Sequence, residues 1–184
     1  TGFIVDPRVY MKSFELRGLN GHTIQEDWKV SPTAYLGITA ANYPNMYQLV
    51  GPHTGLGHNS IIFMIEAQVD YIIKCIDLVK QKGVDYIDVK PEAMTRFLGE
   101  MTQALKGTVW SSGCKSWYQT ADGINFAIWP KSTWRYWLET RHVNEADYVF
   151  GKGTGLVSGT SSTAAQGAPL GMAGEQAMAR MGSQ

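Results

Sequence analysis

Apolar side chains return at steps of three and four residues at Ile61, Met64, Ile65, Val69, Ile72, Ile73, Ile76 and Val79. A stripe with this period needs a helix with one face against a core, which predicts a helix over 60–82. Asn59 or Ser60 can cap its first turn, and Gly83 can end it. Just before it lies a glycine-rich loop, 51–59, and before that the short apolar run 46–50, which reads as a strand. The core of the chain is therefore predicted to be a strand–loop–helix unit. Such a unit gathers free backbone N–H groups and a partial positive charge where loop meets helix, a point suited to a phosphate or a developing anion.

The rest of the chain is organised around that unit. Residues 9–16 read as a weak strand, 35–39 as a short strand, and 84–89 as a further strand. Asn20-Gly21 and Asn42-Tyr43-Pro44-Asn45 read as turns. A second helix is predicted from Pro91 to about Lys106, with Gly107 stopping it. Residues 108–118 and 126–129 read as strand or irregular structure. Five of the six tryptophans fall between Trp110 and Trp137, where they can line a cavity or fill a core. From Gly151 onward Gly, Ala, Ser and Thr dominate and charge is sparse, so 151–184 is expected to be a low-complexity, disordered tail.

Charge narrows the function classes. The formal net charge is +0 and the sequence pI about 6.8, which provides no field for nucleic acid or an anionic membrane. Charged residues make up 17% of the chain, against roughly 25% in ordinary domains. Low charge implies that part of the surface is covered by another domain, a subunit or a cofactor. Cys75 and Cys114 have neither metal nor disulfide spacing, so a reducing, cytoplasmic setting is expected. The run Ile61 to Ile65 stops at Glu66, too short to span a membrane. The first residues carry no basic leader and no initiator Met, which suggests a fragment.

Several motifs look chemical and fail on inspection. Gly55-Leu56-Gly57-His58-Asn59-Ser60 reads as G-x-G-x-x-small, with Asp88 ending a later strand. Pro52, His53 and Thr54 separate the glycines from the preceding strand, and Asp88 stands too far on, so a self-standing dinucleotide site is disfavoured. His53 and His58 flank the loop without a third metal ligand, and no metal is predicted. There is no G-x-S-x-G elbow, and Gly151-Lys152-Gly153-Thr154-Gly155 has no apolar helix behind it. Cys114 beside Lys115 and Glu66 within the helix have bland readings as a buried thiol and a hydrogen-bonded carboxylate. No residue stands out for proton transfer or nucleophilic attack.

A resemblance adds to this reading. Tyr35-Leu36-Gly37, Tyr43-Pro44-Asn45-Met46-Tyr47 and Gly51-Pro52 resemble consecutive motifs of the flavin-containing monooxygenases, Baeyer–Villiger type. Ile65-Glu66-Ala67-Gln68 resembles that group's Ile-Glu-x-Gln helix motif. Gly113-Cys114-Lys115-Ser116-Trp117-Tyr118, Gly123-Ile124-Asn125 and Trp129-Pro130 resemble its Ser-Trp-Tyr loop and sequel. Thr1-Gly2-Phe3 looks like the end of its FAD-contacting Ala-Thr-Gly strand. The two G-x-G-x-x-G motifs of the family, for FAD and NADPH, have no counterpart here.

The resemblance implies an α/β fold: the C-terminal part of an incomplete FAD-binding Rossmann-like domain over 1–107, a Trp-rich cap over 108–150, and the tail. It implies an FAD- and NADPH-dependent enzyme that inserts one oxygen atom from O2 into a ketone or onto a heteroatom. Most of both cofactor sites would belong to a missing N-terminal part, and this chain alone would be inactive. Thr1, Gly2, Gly51, Pro52, Leu56, Gly57, His58 and Asn59 are expected along the FAD, and Trp117 at the NADP and substrate side. The alternative is a non-catalytic, truncated relative acting as a binding or pairing module. A start codon directly before Thr1 would favour it, and an in-frame upstream G-x-G-x-x-G would oppose it.

Overall fold

The computed structural model describes residues 6–57, 59–111 and 116–153. In chain order these residues form α1 (Pro7–Met11), α2 (Ile24–Asp27), α3 (Ile61–Lys82), β1 (Tyr86–Val89), α4 (Pro91–Leu105), α5 (Thr133–Thr140) and β2 (Tyr148–Gly151). Single 3-10 turns lie at Leu19–Gly21, Val109–Ser111 and Glu145–Asp147.

The long predicted helix is α3. Gly83 terminates it in the left-handed conformation, at φ 60°. Its buried face, however, is Met64, Ala67, Gln68, Tyr71 and Cys75. Val69, Ile73 and Ile76, counted in the predicted core stripe, are 40%, 52% and 40% exposed. The helix is apolar on more than one side, and periodicity alone does not say which side meets the core. α4 begins at Pro91 as predicted and buries Ala93, Met94, Phe97, Met101 and Leu105.

β1 pairs antiparallel with β2, with Tyr86 opposite Gly151 and Val89 opposite Tyr148. Gly151 thus ends a strand, and Gly153 N–H donates to Asp85 Oδ2 at 2.5 Å, so the first three residues of the expected tail are built into the fold. Residues 154–184 lie outside the described residues. The main core draws on Met64, Tyr71, Cys75, Ile87, Phe97 and Met101, and equally on Trp129, Tyr136 and Tyr148 from beyond residue 107. A smaller cluster holds Ile24, Trp28, Ala40 and Tyr43.

Three predicted strands take other forms. Within 9–16, the chain opens instead with helix α1, because Asp6 caps it through Arg8 N–H and Pro7 occupies its first turn. Residues 35–39 form a tight turn closed by Tyr35 and Thr39, with Leu36 at φ 53° and Gly37 at φ 68°. Left-handed backbone at two successive positions bends the chain back and prevents a strand. Residues 46–50 are not a strand either; they end on Val50 at φ 54°. Helix α5 was not foreseen. It buries Thr133, Tyr136 and Thr140, so its inward stripe is largely threonine and invisible to an apolar count. No described helix is long and apolar enough to cross a membrane.

Candidate functional site

The glycine loop rests on the turn at 35–39. A side chain at Gly37 would overlap the Thr54 methyl and stand 2.9 Å from the Pro52 carbonyl oxygen. One at Gly51 would overlap the Gly37 carbonyl oxygen and press the Gln48 side chain at 2.8 Å. Two glycines thus meet back to back, and only glycine lets the backbones approach this closely. Thr54 Oγ1 donates to the Gly51 carbonyl at 2.6 Å and fixes the bend.

The far side of the loop is stitched to the segment after the Ser-Trp-Tyr motif. His53 N–H donates to Phe126 O and Gly55 N–H to Ala127 O, both at 2.7 Å, and Trp129 N–H returns to Gly55 O at 2.9 Å. This makes a short parallel pairing of Gly55 with Ile128. A Cβ on Gly55 would sit 2.8 Å from Ala127 O, so the pairing also depends on glycine. Gly57 lies against the Trp110 ring, where a Cβ would stand 2.7 Å from Cη2. Trp110 meets Tyr118 edge to face at 5.3 Å, and Tyr118 lies 5.1 Å from Trp117. Trp117 is therefore two ring contacts from the loop, and it is 44% exposed.

At the start of α3, Ser60 is the N-cap but makes no side-chain hydrogen bond into the first turn. Asn59 spends its side chain elsewhere: Oδ1 accepts Ser60 N–H at 2.8 Å, and Nδ2 donates to Thr133 Oγ1 on α5 at 2.9 Å. The first-turn amides of a helix have no intrahelical acceptor, so this end carries donors and partial positive charge that the Ser60 side chain does not cap.

Of the residues singled out from sequence, Gly51, Pro52, Leu56, Gly57 and Asn59 lie on this one loop and helix end, and Trp117 lies near it. Thr1, Gly2 and His58, and Gly113, Cys114 and Lys115 of the Ser-Trp-Tyr motif, fall outside the described residues. His53 is buried, at φ 63°, edge to face with Phe97 at 6.4 Å. Burial lowers its pKa to about 4 against the hydrogen bond to the Ile128 backbone, so the ring is neutral. Its Nδ1, like Gln48 Nε2, is buried without a partner among the described residues.

Sequence reasoning missed the support beneath the loop. Val50 N–H donates to Gln68 Oε1 at 3.0 Å, Gln68 Nε2 donates to Tyr136 Oη at 2.9 Å, and Tyr136 O–H donates to Leu36 O at 2.6 Å. The available signal was a polar Gln68 one turn from Met64 and two turns from Cys75 on the buried face, which needs buried partners. A second buried group, Asp147, accepts from Tyr35 O–H at 2.8 Å and from Arg96 at 2.5 Å, and joins the turn to α4.

No family model matches the chain. It is 38% identical over 133 residues to a Baeyer–Villiger monooxygenase of Pseudomonas aeruginosa, covering 71% of this chain and 25% of that protein. To a Baeyer–Villiger monooxygenase of Streptomyces coelicolor it is 39% identical over 136 residues, 71% of this chain and 26% of the relative. An FAD-binding monooxygenase, ktnD, of Aspergillus niger is 33% identical over 160 residues, 84% of this chain and 26% of that one. Among solved structures, cyclohexanone monooxygenase from Rhodococcus sp. Phi1 bound to NADP+ superposes with a TM-score of 0.70 at 26% identity, over 83% of this chain and 29% of that chain. OTEMO in complex with FAD and NADP gives 0.71 at 21% identity, over 82% and 28%, a likeness of fold. The chain spans about a quarter of the length of the curated relatives it matches. In sequence and in fold, the chain is a relative of the Baeyer–Villiger-type flavin monooxygenases over that quarter of their length.

Proposed function

We propose that this chain is the C-terminal portion of an FAD- and NADPH-dependent monooxygenase, completing the FAD-binding domain of a longer, cytoplasmic polypeptide. The enzyme transfers one oxygen atom from O2 to a ketone or a heteroatom. Bound FAD, reduced by NADPH, supplies the oxygen chemistry; the protein supplies binding, orientation and electrostatics.

The observation that carries this reading is the loop 51–57 delivering an α3 N-terminus whose N-cap side chain leaves the first turn unsealed. Its glycines let the chain pack closely on itself, Gly51 on the Gly37 carbonyl and Gly57 on the Trp110 ring, which fixes the position of the loop. Gly51, Pro52, Leu56, Gly57 and Asn59, with His58, Thr1 and Gly2, would line the pyrimidine rim and adjacent parts of FAD. The reduced ring system is electron-rich near N1 and O2, and the α3 amides stabilise that charge from a fixed position. Trp117 faces the NADP and substrate side. His53, buried within the loop, is held neutral.

The test uses the intact polypeptide that contains this segment. It should purify with flavin and oxidise NADPH. Asn59→Asp places a negative charge at the helix end, favourable to the helix and unfavourable to reduced flavin. The midpoint potential should fall by roughly 20 mV for a two-electron couple, from an interaction of about 1 kcal/mol. A colourless protein, or a potential indifferent to Asn59→Asp, refutes the reading.

A further inference from the structure

Two residues flanking the Gly37–Gly51 contact hold backbone that ordinary side chains avoid. Val50 sits at φ 54° and Leu36 at φ 53°. A β-branched residue in the left-handed region is strained, and such strain persists only where the surroundings over-determine it. Glycine would be the default at both places, yet the chain carries Val and Leu. The structure must therefore hold these two peptides by other means.

The means is a single buried relay. Val50 N–H is received by Gln68 Oε1, and the Leu36 carbonyl receives the Tyr136 hydroxyl. Gln68 Nε2 joins the two through Tyr136 Oη. Gln68 and Tyr136 are both 0% exposed. The amide orientation follows from the chemistry: Val50 N–H can only donate, so Oε1 faces it and Nε2 faces the hydroxyl. The relay spans the turn at 35–39, α3, α5 and the entrance of the glycine loop, elements as far apart in sequence as Leu36 and Tyr136. The hydrophobic core alone does not require it, since Gln68 occupies a place where Leu or Met would fill the same space.

We propose that Gln68 and Tyr136 are positioning residues: their relay holds Val50 and Leu36 in left-handed geometry and thereby sets the height and tilt of the loop 51–57 beneath its ligand. This rests on the flavin reading above. It gives the Gln of the Ile-Glu-x-Gln run a physical task, and it adds Tyr136 from a helix outside the glycine loop.

The test uses the intact holoenzyme. Gln68→Met keeps volume and removes both hydrogen bonds; Tyr136→Phe removes one hydroxyl. Each removes two bonds of the relay and should raise the flavin dissociation constant by roughly fivefold, a part of the cost of those bonds. Each should also shift the flavin midpoint potential and raise the NADPH oxidised per product formed. The deciding variant is Val50→Gly. Glycine needs no help at positive φ, so Val50→Gly in the Gln68→Met background should recover most of the flavin affinity and potential. A mere packing role for Gln68 predicts no such rescue, because Val50→Gly removes side-chain contacts and restores none. If Gln68→Met fails to fold, Tyr136→Phe with Leu36→Gly asks the same question from the other end. Failure of both rescues overturns the proposal. Should Asn59→Asp move the potential while Gln68→Met and Tyr136→Phe leave it unchanged, the positioning role fails and the flavin reading stands. Should none of the three move it, the flavin reading itself fails.

Discussion

Gly37→Ala tests how far the loop depends on backbone contact. The added methyl meets three atoms: the Thr54 methyl, the Pro52 carbonyl oxygen at 2.9 Å and the Gly51 carbonyl oxygen at 3.4 Å. Thr54 cannot rotate away freely, because its hydroxyl is bonded to Gly51 O. The carbonyls cannot retreat freely either, because the next residues are paired with Phe126 and Ala127. The left-handed backbone costs an alanine about 1 kcal/mol, and overpacking against fixed atoms about 1–3 kcal/mol more. A loss of roughly 2–4 kcal/mol is expected in urea denaturation followed by circular dichroism. Gly83→Ala is the control. Gly83 has the same sign of φ, at 60°, but nothing within 4 Å of a built Cβ, so only the backbone term of about 1 kcal/mol should appear. Equal losses for the two variants would refute the claim that the 37–51 contact is sterically closed to side chains.

Two titrating groups, half-buried Asp88 and buried His53, oppose each other in mildly acid solution. Burial pushes Asp88 up from 3.8 to about 6, against the backbone hydrogen bonds from Asn42, Val89 and Tyr43. The fold therefore loses stability through Asp88 as pH rises from about 4 to 6, and Asp88→Asn should gain more over the wild type at pH 7 than at pH 4, by on the order of 1–3 kcal/mol. Burial holds His53 down at about 4, so the fold loses stability through it as pH falls from 6.5 towards 4. His53→Gln should accordingly cost less at pH 4 than at pH 7; urea titrations across that range check both signs, and a pH-independent difference for either variant removes the corresponding assignment. Asp147 behaves in the opposite sense from Asp88. Burial would raise its pKa, but hydrogen bonds from Arg96 and Tyr35 outweigh it and hold the carboxyl below 3.8. Asp147→Asn should destabilise by about 2 kcal/mol at pH 7, through the weakened bonds to Arg96 and the buried Tyr35 hydroxyl, with the deficit shrinking as pH falls below 4.

The parts of this fold that were legible in sequence are those with a local cause. α3 and α4 carry long periodic stripes and a stop or start residue, Gly83 and Pro91, so their bounds follow from the chain itself. The glycine loop was legible because Gly51, Gly55 and Gly57 have no other reason to cluster. What was not legible is decided at a distance. Val50 and Leu36 look like strand residues and are made left-handed by Gln68 and Tyr136, partners far along the chain. α5 hides behind threonines whose inward face is set by Asn59 and by the backbone of its own preceding turn. The outward face of α3 enters the predicted core stripe because its Val69, Ile73 and Ile76 are more apolar than the Ala67, Gln68 and Tyr71 that are in fact buried. The Trp cluster divided: Trp129 is wholly buried against Tyr136 at 5.0 Å, whereas Trp134 is 60% exposed and stacked on Trp137.

The antiparallel ladder of β1 with β2 has a bearing on biosynthesis. β1 leaves the ribosome some sixty residues before its partner Tyr148–Gly151 can exist, and until then its backbone groups stay unpaired. The loop 51–57 waits similarly for Phe126 and Ala127. Nascent chains stalled before residue 148 should accordingly be held by chaperones or digested by protease, with resistance arriving in a single step once the closing strand has emerged.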